Sequence, residues 1–264
     1  MRYFDHKTIW ITGASSGIGK ALSLFLSQYD CSLILSSRRA ELLEEVKSNC
    51  KDPSRVCVLP FDLKETNLMS QKVQEAILAF GNIDILVNNG GISQRSALLE
   101  TTLEVDRKLM EVDYLGTVAL SKALLPHFID RQRGQFVVVT SLMGKFSSPF
   151  RSAYCGAKHA LHGFFDALRL EHEKDGVSVT FICPGFVNTN VARNALTGDG
   201  SPQGYQDEKT QNGMPADVFA IKMARAIRKR KFEAYIGGIE RIGVLVKNLS
   251  PRLIHWMVKN KRVR

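Results

Sequence analysis

The most constraining stretch of this 264-residue chain is Thr12-Gly-Ala-Ser-Ser-Gly-Ile-Gly19, set between an apolar run and a helical period. Glycines at a strand-to-helix turn allow a tight bend and close backbone approach, and the helix start turns N–H groups toward a pyrophosphate. The spacing is GxxxGxG, not the GxGxxG of the commoner dinucleotide fingerprint. Gly13, Gly17 and Gly19 shape the turn, and the hydroxyls of Ser15 and Ser16 add donors around Ile18. A plain strand-to-helix turn can look the same, so the rest of the chain has to decide.

It does so through rhythm. Apolar, β-branched runs predict strands at Thr8–Thr12, Ser32–Ser36, Arg55–Pro60, Ile83–Asn88, Gln135–Ser141, Val177–Cys183 and Glu233–Ile236. Helical periods fall between them, as at Lys20–Gln28, Glu41–Asn49 and Ala153–Glu173. Near-continuous apolar character in Ile85–Val87 and Phe136–Val139 suits strands covered on both faces. The expected fold is α/β: a single Rossmann-type, doubly wound parallel sheet of about seven strands over residues 1–264, flanked by helices. With 44% hydrophobic residues and no repeat or linker, the chain is large enough for one α/β core. Polar, Gly-rich Asn194–Gly213 is the one long irregular stretch, and residues 190–213 are expected to form a substrate loop.

Charge divides the chain. From Ala220 to Arg264 there are 13 Lys/Arg against 2 acids, whereas the preceding 219 residues hold 23 basic and 24 acidic residues. The dense runs of this basic stretch are Arg228–Lys231 and Lys259–Arg264, and residues 241–264 are expected to form a basic C-terminal extension. Ser250-Pro251 resembles an N-cap followed by Pro at the first helical position, ahead of apolar Leu253, Ile254, Trp256, Met257 and Val258. Three uses stay open for that helix: packing on the domain or a second subunit, a lid over the pocket, or peripheral contact with an anionic membrane. No nucleic-acid partner is expected. The five scattered cysteines lack a CxxC, and the N-terminus lacks a signal-type apolar core; with no run of membrane-spanning length, the expected location is cytoplasmic.

Tyr154 and Lys158 stand four residues apart, on one face of a predicted helix, with Ser141 upstream at a strand end. The ammonium favours the ionised phenol, giving an acid/base pair, and the Ser141 hydroxyl can donate to a substrate carbonyl. Lys158 would also hold the nicotinamide ribose. After the second strand, Ser37 stands where an NAD-preferring site usually has an acid, and Arg38 and Arg39 follow. Guanidiniums there suit a 2′-phosphate, so NADP(H) is preferred over NAD(H), with Arg38 the stronger choice. Arg39 has the alternative of starting the next helix. His159 and His162 have a possible metal spacing but no third ligand nearby, and no metal is expected. Phe146, Phe150, Phe186 and Met143 are candidates for an apolar substrate wall or for the core.

Together, Thr12–Gly19, Asp62, Asn88-Asn-Gly-Gly91, Ser141, Tyr154-Cys-Gly-Ala-Lys158 and Pro184–Thr189 resemble the short-chain dehydrogenase/reductase family over almost the whole chain. The resemblance implies hydride transfer at the nicotinamide. It implies Asp62 beside the adenine, Asn89 and Gly90 along that side of the cofactor, and Val187 and Thr189 at the carboxamide. It also implies a homodimer or homotetramer. Asn88–Ser96, Tyr114–Thr117 and the Ser250–Trp256 tail are similar to the dehydrogenase/reductase member 7 branch, associated with steroid- and retinoid-like carbonyls. Animal members of that branch carry an N-terminal anchor, which is not expected here. One position departs: the family's fourth catalytic residue is Asn, and here it is Asp113 in Val112-Asp-Tyr-Leu-Gly116. Asp lacks the amide donor and adds charge beside Lys158, so Asp113 is kept as a relay member.

The expectation is an NADP(H)-dependent oxidoreductase acting on the carbonyl or secondary alcohol of a small apolar, steroid-, retinoid- or quinone-like substrate. The alternatives are a 3-oxoacyl-carrier-protein reductase, whose acidic carrier would meet the basic tail, and a cofactor-binding regulator with weak catalysis.

Overall fold

Strand residues alternate between two separate cores, and this alternation explains the apolar runs. The structure, a computed structural model, describes residues 2–259. Its strands are β1 (Thr8–Thr12), β2 (Ser32–Ser36), β3 (Val56–Val58), β4 (Ile85–Asn88), β5 (Gly134–Val139), β6 (Val177–Pro184), β7 (Val187–Asn188), β8 (Met214–Pro215) and β9 (Glu233–Ile236). Ile9, Ile11, Leu33, Leu35, Ile85, Val87, Val137 and Val139 belong to one core cluster. Their neighbours Trp10, Ile34, Leu86, Phe136 and Val138 belong to the other. Because side chains alternate across a strand, a sheet buried on both faces needs apolar residues at every position.

Seven strands form one parallel sheet in the order β3-β2-β1-β4-β5-β6-β9. Chain order reverses between β1 and β4, and that reversal opens a crevice at the strands' C-terminal ends. The helices are α1 (Gly17–Leu26), α2 (Ala40–Ser48), α3 (Met69–Phe80), α4 (Leu103–Leu109), α5 (Gly116–Asp130), α6 (Ser152–His172), α7 (Glu208–Gln211), α8 (Ala216–Arg228), α9 (Ile242–Leu249) and α10 (Pro251–Lys259). Phe219 and Met223 of α8 join Leu22 and Leu26 of α1 on the first face, while Leu120 and Phe128 of α5 join Leu161 and Phe165 of α6 on the second. Among the described residues no helix is long and apolar enough to cross a membrane.

Several boundaries differ from expectation by a few residues, among them β3, β4 and β6, and three differences have a local reason. The first helix begins at Gly17 rather than Lys20, because Gly17, Ile18 and Gly19 already wind as its first turn. β5 stops at Val139, so Ser141 does not close the strand: extended at φ −171°, it caps the single 3₁₀ turn Leu142–Gly144. Residues 194–213 carry α7 and lead into β8, which pairs with β7. At the C-terminus, Ser250 Oγ accepts the Leu253 N–H, the expected cap. Lys261, Arg262 and Arg264 of the basic terminal run lie outside the described residues.

Candidate active site

The glycine turn is packed so closely that side chains are excluded from it. Gly13 and Gly17 take φ of 64° and 55°, a region that favours glycine. A Cβ on Gly13 would lie 2.8 Å from the Gly90 Cα, and one on Gly19 would lie 2.2 Å from the Gly13 carbonyl oxygen. Thr12 fastens β1 to β4: its Oγ1 accepts the Asn89 and Gly90 N–H groups at 3.0 and 2.9 Å. Asn89 Nδ2 donates back to the Thr12 and Gly13 carbonyls at 2.9 and 3.2 Å. α1 starts without a side-chain cap at Ser16, and Ser15, Ser16, Gly17 and Ile18 line a cavity of about 1190 Å³. A helix start without a side-chain cap, in a turn stripped of side chains, fits a dinucleotide pyrophosphate.

Further along this cavity stand Ser37, Arg38, Arg39 and Asp62. Arg38 is 65% exposed, with Nη1 4.0 Å from Asp62 Oδ2, so its guanidinium has room to meet a ligand. Arg39 starts α2, and its N–H donates to Ser37 Oγ. The helix-starting role and the cavity position coexist in that residue. Asp62 Oδ1 accepts the Lys64 N–H at 3.0 Å, which orients the carboxylate.

The candidate acid/base side chains come from two elements. Ser141 follows β5, Tyr154 and Lys158 lie on α6, and all three line the same cavity as the glycine turn. Ser141 Oγ accepts the Met143 N–H at 3.1 Å, leaving its own proton to donate. Tyr154 is half-buried, and the Lys158 ammonium lies 5.6 Å from its ring centre. Lys158 Nζ also donates to the Val139 carbonyl. Val187 and Thr189 border the cavity, where Thr189 would meet a Cβ on Gly17 at 3.1 Å.

Asp113 sits on a π-helical turn, Met110–Leu115, that joins α4 to α5. Such turns insert one residue and re-aim side chains, and they recur at functional sites. Here the turn brings a fully buried carboxylate 3.1 Å from Lys158 Nζ, while its Oδ1 accepts the Ile92 N–H at 2.7 Å. Burial pushes the Asp113 carboxyl above its ordinary range, against the pull of Lys158 and the Ile92 N–H. Burial also works against the Lys158 ammonium, yet Asp113 and Tyr154 hold its pKa above that of an ordinary lysine.

Sequence reasoning missed the residues that position α6 and the loop over it. Gln94 is fully buried, and its Oε1 accepts the Ala153 and Tyr154 N–H groups, capping the helix that carries the acid/base pair. Its Nε2 donates to Ser96, Thr101 and Ser152. A lone Gln carries no periodic signal; only its place next to Asn88–Gly91 hinted at a role. Arg95 pairs with Asp207 at 3.1 Å, both almost entirely buried, and this pair fastens the 190–213 loop beside β4. Although burial opposes it, hydrogen bonds from Thr210 and the charge of Arg95 hold the Asp207 carboxyl below its ordinary range.

Met143, Phe146 and Phe186 line the apolar end of the cavity, together with Leu196 from the loop and Ile254, Met257 and Val258 from α10. Phe150 does not line it. Its φ of 65° is unusual for a bulky residue, and its carbonyl accepts the Ser96 N–H. Thus α10 walls the pocket on one face while Leu253 and Trp256 stay exposed on the other. His162 is buried against Phe181, with ring centres 4.3 Å apart, and burial lowers its pKa to about 4. It reads as a core residue.

Comparison with known proteins gives the same picture. The family described as short chain dehydrogenase matches residues 7–199. Dehydrogenase/reductase SDR family member 7B of Rattus norvegicus is 39% identical over 267 aligned positions, covering 98% of this chain and 82% of that protein. Dehydrogenase/reductase SDR family member 7 of Homo sapiens is 43% identical over 231 positions, covering 84% and 68%. Among solved structures, a short chain dehydrogenase/reductase from Burkholderia phymatum in complex with NAD superimposes with a TM-score of 0.84 over 96% of each chain, at 22% identity.

Proposed function

This chain belongs to the short-chain dehydrogenase family of oxidoreductases, and on that premise we propose that it transfers hydride between NADP(H) and the carbonyl or secondary alcohol of an apolar substrate. The observation that carries this reading is a single cavity with the glycine turn at one end, Ser141, Tyr154 and Lys158 in the middle, and apolar side chains at the other end.

When bound, the nicotinamide supplies or accepts the hydride. The protein's own residues do the rest. Ser141 holds the substrate oxygen with its hydroxyl proton, and Tyr154 gives that oxygen a proton on reduction or takes one on oxidation. Lys158, buried and kept charged by Asp113, stabilises the phenolate form of Tyr154 and is placed to hold a ribose hydroxyl. Asp113 acts on the reaction through Lys158, as a positioning residue. The Ser15–Gly19 turn takes the pyrophosphate, Asn89 and Gly90 border the cofactor, Asp62 orients beside the adenine, and Val187 and Thr189 meet the carboxamide.

The preference for NADP(H) is supported by the absence of an acid at Ser37 and by Arg38, exposed in the cavity wall with Arg39 beside it. NADPH and NADH consumption against a panel of apolar ketones, aldehydes and quinones tests the proposal. The expected result is turnover with kcat/KM at least tenfold higher for NADPH; equal use of both cofactors overturns the preference, and failure to consume either overturns the reductase. A second reading, reduction of 3-oxoacyl thioesters on an acidic carrier, draws support from a cleft of about 790 Å³. Lys222, Arg225, Arg228, Lys229, Lys231 and Arg241 line it, and Ile242 borders both the cleft and the main cavity. Turnover of acetoacetyl thioesters in the same panel favours that reading.

A further inference from the structure

Among the described residues, buried charges come with partners, with one exception in the cavity wall. Lys158 has Asp113 at 3.1 Å, and Arg95 has Asp207 at 3.1 Å. Arg151, only 5% exposed, has no carboxylate within 4 Å among the described residues; its Nη1 donates to the Ser148 hydroxyl at 3.1 Å. The one carboxylate that acts on it, Asp207, is already engaged by Arg95 and by the Thr210 N–H at 2.7 Å. The two carboxylates that line the cavity are engaged elsewhere: Asp62 with Arg38 and the Lys64 N–H, Glu240 with the Phe186 and Gly238 N–H groups.

The surroundings make this charge costlier still. Arg151 is the residue immediately before α6, where the helix dipole is positive and a cation is disfavoured. Gln94 Oε1 takes the Ala153 and Tyr154 N–H groups and offers Arg151 no charge. Arg95 lies close enough to repel it, and the other titratable groups that act on it are Tyr154, Asp207 and Cys155. Burial first, and Arg95 second, lower its pKa to about 10, so it remains a guanidinium at neutral pH. The backbone before it is held at the left-handed φ of Phe150, a conformation that costs free energy for a non-glycine residue. A buried cation that the protein leaves without an anion implies an anion brought by the ligand.

That cation also lies where a substrate would be. Arg151 immediately precedes α6 and Tyr154 follows three residues later; both line the cavity, and the Tyr154 phenol is among the groups that act on the Arg151 charge. We propose that Arg151 binds an anionic oxygen group, a carboxylate or a phosphate monoester, that the substrate carries a few bonds from its reacting carbonyl. The apolar wall from Phe146, Phe186, Ile254 and Met257 takes the remainder of the molecule. The substrate is then amphiphilic: one hydrocarbon body with an acidic group near the oxidised carbon. This deepens the proposed oxidoreductase function and rests on it for the word "substrate", but the anion site itself is testable without turnover.

Calorimetric titration of the full chain with decanoate, monodecyl phosphate and decanamide, with and without NADP+, provides that test. These probes share a chain length and differ in head group. The expected result is that at least one anionic probe binds ten times or more tighter than decanamide. Arg151→Met should bring the anionic probes to within twofold of decanamide, and Arg151→Lys should keep part of the preference. Whichever anion binds tighter identifies the head group. Equal affinities for all three in the wild type, including no binding at all, overturn the proposal, as does a preference that survives in Arg151→Met. The wild-type comparison and Arg151→Lys stand even where Arg151→Met misfolds. An anion preference in a protein that oxidises no NADPH would remove the reductase reading and leave the site standing.

Discussion

The two ends of the cavity are built by opposite means. At the cofactor end the fit is made by backbone: glycines whose missing side chains let β1, β4 and α1 meet, fastened by Thr12 and Asn89. At the apolar end it is made by side chains from distant segments, Phe146, Phe186, Ile254 and Met257, with Leu196 from the loop held by the Arg95–Asp207 pair. A backbone-built site admits one geometry and has a fixed sequence spacing. A side-chain-built site is set by residues that are neighbours only after folding. The buried Asp113–Lys158 pair is the seam between them.

Breaking the seam should have the largest effect. Asp113→Asn leaves Lys158 buried without its anion and should cost about 3 kcal/mol at neutral pH, measured by chemical denaturation. The sign of the pH effect follows from the lysine. In the wild type its pKa is raised, so the pair's contribution is complete below the ordinary lysine range and is lost only as pH rises through the higher folded value. Without Asp113, burial acts on Lys158 against the pull of Tyr154 alone, so its pKa should fall and the alkaline limb of kcat/KM should move to lower pH. Superimposable pH profiles would mean that the carboxylate has no special role.

Next in size is a change within the cofactor end. Gly19→Ala sets a Cβ 2.2 Å from the Gly13 carbonyl oxygen and 2.7 Å from Asn89 Nδ2, and neither the strand end nor the helix start can yield cheaply. A loss of about 2 kcal/mol is expected, with NADPH affinity falling at least tenfold in fluorescence titration. In the 190–213 loop, away from the glycine turn, Gly204→Ala should do much less. A Cβ there meets nothing within 4 Å, although φ is +82°, so the cost is about 1 kcal/mol of backbone strain and NADPH affinity should not move. If the two alanines proved equally damaging to cofactor binding, the contrast between the ends would be wrong.

The same contrast decides what was legible in the sequence. The order and parallel rhythm of the main-sheet strands followed from apolar runs that the two-faced burial of the sheet demands, and β1, β2 and β9 have the expected bounds. The glycine turn was legible because its chemistry is its spacing. Tyr154 and Lys158 were legible because four residues is one helical turn. Gln94, Arg95 and Arg151 were not, since the burial that gives each its importance comes from segments 58 to 112 residues away in the chain for the contacts of Gln94 and Arg95. Asp113 stood out as a departure, but its direct contact with Lys158 depends on a π-helical turn that no periodicity announced. Ser141 lies one element later than its run suggests, because Thr140 continues the β-branched run of Val137, Val138 and Val139 past the last strand pairing, Val139 with Ile182.

On the proposed function, the glycine turn and the acid/base residues serve one transfer of hydride. The most direct test is to supply NADPH carrying deuterium at the transferable C4 position and a ketone that the protein reduces, then read the alcohol by mass spectrometry. One deuterium at the carbinol carbon is expected with the wild type, and a loss of about 10²–10⁴-fold in its rate of appearance in Tyr154→Phe with NADPH binding retained. Alcohol formed without the label, or a Tyr154→Phe protein that transfers deuterium as fast as the wild type, would contradict it.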